Sequence, residues 1–147
     1  MTYPDIELLV PHRAPMLFID AIKETGHKRL SCTARVRETH PLLQNGKVDI
    51  VATVEYVAQT VSAYVGYNNH LARPGTAPGI GFLVSCNEAV FSAADLNLDD
   101  ELDIVVEHVW GESAFGKFRG EVKRNDVSIA TMDVSVVGES AFERGFT

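Results

Sequence analysis

The order of apolar patterns along this 147-residue chain predicts an α+β fold, in which one curved antiparallel sheet wraps around one long central helix. Two strand-like segments come first, a long apolar helix follows, and about four strands separated by short turns complete the chain. Because such a sheet is too small to enclose the helix alone, a second subunit is expected to complete the burial, so the protein should be dimeric. We expect one domain over residues 1–147, with residues 138–147 as a frayed tail.

Residues 48–67, VDIVATVEYVAQTVSAYVGY, are predicted to form the central helix. Apolar side chains recur there at spacings of three and four residues, which places them on one face of a helix. Gly66 and the pair Asn68-Asn69 are expected to end the helix. The predicted apolar face consists of Ile50, Val54, Val57, Ala58, Val61 and Val65.

Glu55 is the single formally charged residue between Asp49 and Arg73. A carboxylate within an apolar helix is costly to remove from water, so it is either paired with a cation or kept for chemistry. Arg13 and Arg73 are the candidate cations if Glu55 has only a structural role. Its isolation makes Glu55 the first candidate for a functional side chain.

The segments on either side of the helix are predicted to be strands. An apolar run, MLFIDAI, follows Pro15 and is the first strand or its approach. Residues 29–37 alternate between polar and apolar side chains, which predicts a half-buried strand with a basic outer face. Arg124-Asn125-Asp126 separates two later segments and predicts a tight hairpin. The strands expected after the helix cover residues 80–91, with a break near Asn87, and residues 102–107, 114–123 and 127–137.

Composition excludes several classes of function. A net charge of −7 argues against nucleic acid as a main partner, because neutralising phosphates needs a basic face. No membrane span is predicted, since residues 50–65 are shorter than the roughly 20 apolar residues a bilayer requires. The N-terminus lacks a basic start followed by an apolar run, which predicts a cytoplasmic protein. Cys32 and Cys86 lack metal-ligand spacing and are expected to be buried free thiols, so neither a metal nor a cofactor is expected.

Three stretches of the chain carry recognisable motifs: Pro11–Asp20 reads PHRAPMLFID, Glu55–Gln59 reads EYVAQ, and Phe82–Phe91 ends in Glu-Ala-Val-Phe. The first is similar to the Pro-His-Arg-x-Pro-x-Leu-x-x-Asp opening of the hotdog-fold β-hydroxyacyl-(acyl carrier protein) dehydratases, and the second resembles their Glu-x-x-Ala-Gln motif. The third lies where that family has a strand ending Glu-Ala-Arg-Phe. The resemblance covers nearly the whole chain. The subgroup it suggests is the dehydratase-like proteins of aryl-polyene clusters, some of which pair with a second hotdog subunit.

This resemblance implies elimination of water from a 3-hydroxyacyl thioester on acyl carrier protein, giving the trans-2-enoyl thioester, in fatty-acid or polyene-type biosynthesis. A histidine would remove the proton beside the thioester carbonyl, since its ordinary pKa near 6.5 suits a base at neutral pH. A carboxylic acid on the central helix would protonate the departing hydroxyl, and Glu55 matches that position. The implied partners are acyl carrier protein and a second hotdog subunit, identical or different.

The histidine motif is where this sequence departs from the family. The family reads Pro-Phe-Phe-x-Gly-His-Phe-Pro-Gly before the helix, whereas residues 40–47 read HPLLQNGK. His40 is the only histidine in this loop, so the base role is assigned to it, with loss of the catalytic histidine as the alternative. His12 and Arg13 are expected to have structural roles under the first strand. His27 and His108 are expected on the surface.

Other candidate residues are expected to position the substrate or its carrier. Gln59 lies one turn after Glu55, where it would bond to the backbone or orient the carboxyl group. Gly79 and Gly81 would let a backbone N–H approach the substrate, or would mark a bulge. Arg35 and Arg37 belong to the basic face proposed to dock the acidic carrier, with a solvated strand face as the alternative.

Two other functions stay open at this point. An acyl thioesterase on the same fold would use the helix carboxylate to activate water, although the Pro-His-Arg and Glu-x-x-Ala-Gln motifs favour a dehydratase. A non-catalytic hotdog subunit supporting an active partner is compatible with the altered loop from His40 to Asp49.

Overall fold

The structure, a computed structural model, describes residues 2–79, 81–112 and 115–138. One long helix and eight strands form the described part of the chain, with short 3₁₀ turns at Ile6–Leu8 and Ile50–Ala52. The elements in order are β1 (Ala21–Gly26), β2 (Arg29–Arg35), β3 (Lys47–Asp49), α1 (Thr53–Ala72), β4 (Gly81–Phe91), β5 (Asp95–Asn97), β6 (Glu101–Glu112), β7 (Phe115–Arg124) and β8 (Val127–Gly138).

Six of the strands form one antiparallel sheet in the order β1-β2-β6-β7-β8-β4, and β3 pairs with β5 in a separate ribbon. The helix α1 packs against this sheet, mainly on β6, β2 and β7. The predicted α+β class, with one long helix against a curved antiparallel sheet, is confirmed. No helix in the described ranges is long and apolar enough to cross a membrane.

The core lies between the inner face of α1 and the sheet. Tyr56, Val57 and Val61 belong to the buried apolar cluster together with side chains of β2, β6 and β8. Each large side chain removed from water there contributes about 1.5–3 kcal/mol. The strand β7 carries Gly120 opposite the helix, where a Cβ atom would lie 2.4 Å from Val57 Cγ1. The small residue therefore lets the helix approach the sheet closely.

The predicted apolar face of the helix is only partly the buried face. Val57 and Val61 are buried as expected, but Val54, Ala58 and Val65 are half-buried. Ala58 and Val65 instead form part of the wall of a cleft. Some residues of the apolar face thus pack in the core and others line the cleft. The spacing of apolar residues does not distinguish these two groups.

The predicted helix ends were both wrong. Val48 is not helical, because it pairs with Leu96 in the ribbon, and the Asp49 side chain accepts a hydrogen bond from Val51 N at 2.9 Å. At the other end the helix continues through Gly66 to Ala72. A Cβ atom at Gly66 would lie 2.1 Å from the carbonyl oxygen of Leu9. Because Gly66 has no side chain, the backbone of Leu9 can cross close to the helix at this point, and the helix does not end there.

The strand predictions hold within one residue for β4, β7 and β8, whereas β6 continues to Glu112, five residues beyond its predicted end. The turn Asn125-Asp126 has positive φ at both residues, 53° and 63°, which is the conformation of a tight two-residue hairpin. The expected break near Asn87 appears as an irregular register between Asn87 and Val90. Two short strands, β3 and β5, were not predicted. The expected tail includes Gly138, which is the last residue of β8, and otherwise lies outside the described residues.

We expect Gly66→Ala to lower the free energy of unfolding by about 1–3 kcal/mol, because the added methyl group meets the Leu9 backbone. In an exposed helix the same change would stabilise by roughly 0.5–1 kcal/mol. Urea denaturation measures the difference. Gly79→Ala is the matched control, since a Cβ atom there meets nothing within 4 Å. Equal stability of Gly66→Ala and wild type would contradict the close crossing.

Candidate active site

A cleft of about 510 Å³ runs along α1 beside the β4 edge of the large sheet. This volume is in the range of about 300–1,000 Å³ that is usual for small-molecule sites. Its walls combine apolar and polar surface in nearly equal parts, and Glu55 and His12 are among the residues that line it. The helix contributes Glu55, Ala58, Val61, Ser62, Val65, Gly66 and Asn69, and the sheet contributes Gly81–Leu83 and Val136–Gly138.

Glu55 and His12 form the polar pair of the cleft. Glu55 lies in the first turn of α1, and His12 lies in the loop between the first 3₁₀ turn and β1. His12 Nε2 is 3.5 Å from Glu55 Oε1, and both side chains are partly exposed to the cleft. At 3.5 Å the two groups are within ion-pair distance but slightly beyond direct hydrogen-bond reach, so one water between them would connect the imidazole with the carboxyl group.

Gln59 joins Glu55 to the polypeptide that precedes β1. Its Oε1 accepts hydrogen bonds from Phe18 N at 2.8 Å and from Ile19 N at 3.4 Å. Its Nε2 donates to Met16 O at 2.8 Å and to Glu55 Oε1 at 3.0 Å. The side chain is fully buried. The structure thus contains both bonds expected of Gln59, one to the backbone and one to the carboxyl group, while a role in substrate positioning stays a prediction.

This network determines which oxygen of Glu55 can carry a proton. Because backbone N–H groups can only donate, the Gln59 atom that meets Phe18 must be the amide oxygen, and the nitrogen must face Glu55. Glu55 Oε1 is therefore an acceptor. When the carboxyl group is protonated, the hydrogen bond that Oε1 accepts favours the proton on Oε2.

Arg13 anchors the loop that carries His12. Its Nη1 donates to Val10 O at 2.9 Å and to His12 O at 2.7 Å, and its Nη2 donates to Glu7 O at 3.0 Å. These bonds fix the loop on its own backbone, so Arg13 is not the counter-ion of Glu55. His12 Nδ1 is buried and has no hydrogen-bond partner in the part of the chain that the structure describes.

His12 is the residue that sequence reasoning missed. It was expected to have a structural role, but it lies in the cleft beside Glu55. The contact joins residues 43 positions apart, so no local pattern reveals it. The signal that pointed there was the Pro-His-Arg motif at Pro11–Arg13, which adjoins the residues bonded by Gln59.

The structure places His40 outside the cleft. Its ring is buried and stacks on Phe18, with ring centres 4.2 Å apart. Its Nδ1 accepts a hydrogen bond from Leu42 N at 3.1 Å, and its Nε2 is buried with no partner among the described residues. The assignment of the base to His40 stays a prediction, and this enclosed position does not favour it.

The remaining candidate residues divide into two groups. Gly79 and Gly81 both line the cleft, on either side of residue 80, which lies outside the described ranges. Arg35 and Arg37 lie away from it and form ion pairs, Arg35 with Asp99 at 3.0 Å and Arg37 with Asp20. Carrier docking on these arginines stays a prediction, in which the carrier would compete with two aspartates of the same chain.

The fold and the cleft together define a hotdog-fold protein with a histidine and a carboxyl group beside its central helix. The family model of the ApeP-like proteins, described as ApeP dehydratase, matches residues 4–146. The chain therefore belongs to the ApeP-like dehydratase family. This confirms the resemblance to hotdog dehydratases found in the sequence. A search of curated protein sequences finds no match.

Solved structures show the same fold. The dehydratase heterocomplex ApeI:P from Xenorhabdus doucetiae matches with a TM-score of 0.88 at 18% identity, covering 97% of each chain. An HP0420 homologue from Helicobacter felis matches with a TM-score of 0.62 at 13% identity, over 90% of this chain and 86% of that one. A hypothetical thioesterase with coenzyme A from Streptococcus pneumoniae matches with a TM-score of 0.57 at 14% identity, over 80% and 83%.

The burial of His40 predicts a pH dependence of stability. Burial lowers the pKa of His40 from its ordinary value of 6.5, because the charged ring loses its water. Below about pH 6.5 the unfolded chain takes up a proton that the folded chain resists, so the free energy of unfolding should fall as the solution is acidified. His40→Asn should flatten this fall between about pH 6.5 and 5, as urea titrations at several pH values would measure.

His27→Asn is the control for this experiment, since His27 is exposed on the turn between β1 and β2. It should keep the wild-type pH profile. A profile unchanged by His40→Asn would mean that the His40 ring is hydrated in the folded protein.

Proposed function

We propose that this protein is a catalytic subunit that removes water from 3-hydroxyacyl thioesters carried by acyl carrier protein, giving trans-2-enoyl thioesters. The observation that carries the proposal is the pair of His12 and Glu55, 3.5 Å apart in the cleft. Membership of the ApeP-like dehydratase family gives the class of reaction. The elimination needs one base and one acid on the same substrate, and this pair supplies both.

In the proposed reaction His12 Nε2 takes the proton from the carbon beside the thioester carbonyl. The electron pair of that C–H bond forms the double bond, the C–O bond of the 3-hydroxyl group breaks, and Glu55 Oε2 donates the proton with which the hydroxyl leaves as water. His12 then carries the proton removed from the substrate, and Glu55 is ionised. Loss of that proton from His12 to solvent, and uptake of one proton from solvent by Glu55 Oε2, restore both groups for the next turnover, since both side chains are partly exposed.

The residues that line the cleft indicate how the substrate would lie in it. The thioester would lie near Glu55, and the acyl chain would extend along Ala58, Ser62 and Val65, which are half-buried and face the cleft. Gly79 and Gly81 lie across from the helix, where backbone N–H groups can approach the thioester oxygen without a side chain between them. This arrangement agrees with the predicted role of the two glycines in substrate positioning.

A second hotdog subunit is proposed to close the open side of this cleft. The strand β4 is at the end of the large sheet, and its other edge has no strand neighbour within the described residues. A long apolar edge of this kind is unusual unless it is covered. The similar structure from Xenorhabdus doucetiae is a heterocomplex, which supports a related but different subunit as the partner. The exposed apolar side chains of β4 are Phe82, Leu83, Val84, Val90 and Phe91.

The thioesterase and the non-catalytic subunit remain the competing functions. A thioesterase would hydrolyse the acyl thioester and release a free acid, whereas a dehydratase releases an enoyl thioester that is still bound to the carrier. A supporting subunit would give neither product without an active partner. Mass spectrometry of the carrier after incubation separates the three outcomes.

We expect Glu55→Gln and His12→Gln each to lower kcat for a 3-hydroxyacyl carrier substrate by about 100-fold or more, because each removes one proton-transfer group. Both side chains are partly exposed, so the fold should tolerate the changes. The carrier assay above measures product formation, with circular dichroism as the check on folding.

His27→Gln and His40→Asn are the controls for the active-site variants. His27 is exposed and His40 lies outside the cleft, so both should keep near wild-type kcat when compared per folded protein. Loss of activity in His40→Asn with activity retained in His12→Gln would transfer the base role to His40 and overturn the assignment made here.

We expect the wild-type protein to form a species larger than the 16.1 kDa of one chain, alone or with its related subunit. Val84→Lys places a charge on the exposed β4 edge and should shift that species toward the monomer. Light scattering coupled to size exclusion measures the mass. Val127→Lys, on an exposed valine next to the β7–β8 turn, is the matched control, and an equal effect of both changes would locate the interface elsewhere.

A further inference from the structure

His40 is a buried histidine that the proposed reaction does not use. Its ring is stacked on that of Phe18, with ring centres 4.2 Å apart and an angle of 28° between the planes. The ring of Tyr56, on α1, lies at 26° to that of His40 with centres 6.0 Å apart, and it packs against Phe18 at 5.2 Å. The three rings thus connect the loop before β3, the segment before β1 and the helix in one buried cluster.

The hydrogen bond of the His40 ring determines where its proton lies. Nδ1 accepts from the backbone N–H of Leu42 at 3.1 Å, so this nitrogen carries no proton. The ring is therefore neutral, with its proton on Nε2. The N–H of Leu43 donates to the carbonyl oxygen of His40 at 3.1 Å, so the ring and the backbone of His40 together hold the turn formed by residues 40–43.

Protonation of this ring would break its bond to Leu42. A charged imidazole carries an N–H group at both nitrogens, and the N–H at Nδ1 would then face the Leu42 N–H, with no acceptor between the two donors. The other nitrogen, Nε2, is buried and has no hydrogen-bond partner among the described residues. The folded structure around His40 therefore suits the neutral ring only, and burial lowers its pKa.

The charged groups on the surrounding elements do not stabilise a charged His40. Asp20, in the segment before β1, forms an ion pair with Arg37. Burial raises the pKa of Tyr56, Asp20 raises it further and Arg37 lowers it, so the phenol stays neutral. Glu38 is exposed to solvent. Burial is the cause of the lowered pKa of His40, which leaves its charged form without a counter-charge.

Phe18 connects the His40 ring to the hydrogen bonds around Glu55. Its ring stacks on His40, and its backbone N–H donates to Gln59 Oε1 at 2.8 Å. Gln59 Nε2 in turn donates to Glu55 Oε1 at 3.0 Å. A movement of the His40 ring can therefore reach Glu55 through one stacked contact and two hydrogen bonds.

We propose that His40 is a proton-sensitive latch between its own loop and the hydrogen bonds of Gln59. The neutral ring holds residues 40–43 against Phe18. The protonated ring releases the Leu42 N–H and leaves the stack, which weakens the bond between Phe18 and Gln59. The latch does not depend on the proposed function, because none of its contacts involves a substrate.

Amide hydrogen exchange followed by NMR reports the two steps of the latch separately. The protection of an amide compares its exchange rate with that of an unstructured peptide at the same pH. Opening that adds a proton to a ring of ordinary pKa 6.5 becomes more favourable as the pH falls, so protection of the Leu42 and Phe18 amides should fall by about three- to fivefold between pH 6.5 and 5.5. The Arg73 amide, bonded to Asn69 O at the end of α1, is the reference and should keep its protection.

His40→Asn tests the role of the proton directly. An asparagine side chain can accept a hydrogen bond from the amide two residues later, so the bond to Leu42 is kept without a group that titrates in this range. Protection of the Leu42 and Phe18 amides should then be independent of pH. His27→Asn, at an exposed histidine, is the matched control and should keep the wild-type fall.

Nitrogen NMR of the wild-type protein provides a second measurement should His40→Asn fail to fold. The neutral His40 ring should carry its proton on Nε2, and it should take up its second proton over the pH range in which Leu42 loses protection. A neutral ring with its proton on Nδ1 would overturn the latch.

The exchange experiment can also contradict the proposal. Constant protection of Leu42 in wild type, or a fall that persists in His40→Asn, would show that the proton on His40 does not control the turn. A fall at Leu42 without one at Phe18 would show that opening of the turn does not reach Gln59. Exchange of Leu42 no faster than that of Ile104, which is fully buried on β6, would mean that the turn opens only with the whole fold.

Discussion

The buried amide of Gln59 is the interaction on which the site depends. It accepts from the Phe18 backbone and donates to Met16 O, and its remaining N–H bonds Glu55 Oε1. Removing it would leave several backbone groups unpaired in the core, at a cost of about 1–3 kcal/mol for each. One side chain thus joins the helix to the segment before β1 and holds one oxygen of the Glu55 carboxyl group.

The position of His12 depends on packing in the same part of the fold. The loop that carries it is bonded to itself through Arg13 and crosses the helix where Leu9 meets Gly66. A histidine from the N-terminal loop and a carboxyl group from α1 therefore meet without any contribution from the loop that holds His40. The altered sequence around His40 is compatible with an active site for this reason, since the proposed base, His12, lies elsewhere in the same chain.

Local patterns in the sequence predicted the presence of the helix, the last hairpin and the antiparallel sheet, but not where the helix begins and ends. They failed where a contact between distant segments decides the outcome. Gly66 resembles a helix terminus until the Leu9 backbone is placed against it, and His12 resembles a structural residue until Glu55 is placed beside it. His108 was expected on the surface, but its ring is half-buried and stacks on Phe118. In each of these cases tertiary packing, and not local preference, determines the role.

The central claim is that His12 and Glu55 act as one unit, as the base and the acid of a single elimination. A double-mutant cycle on kcat/KM tests this most directly, with His12→Gln, Glu55→Gln and the two changes combined. Groups that act as a unit are strongly non-additive, so the double variant should be about as active as the weaker single variant. Losses that multiply in the double variant would show that the two groups act independently, and would contradict the account.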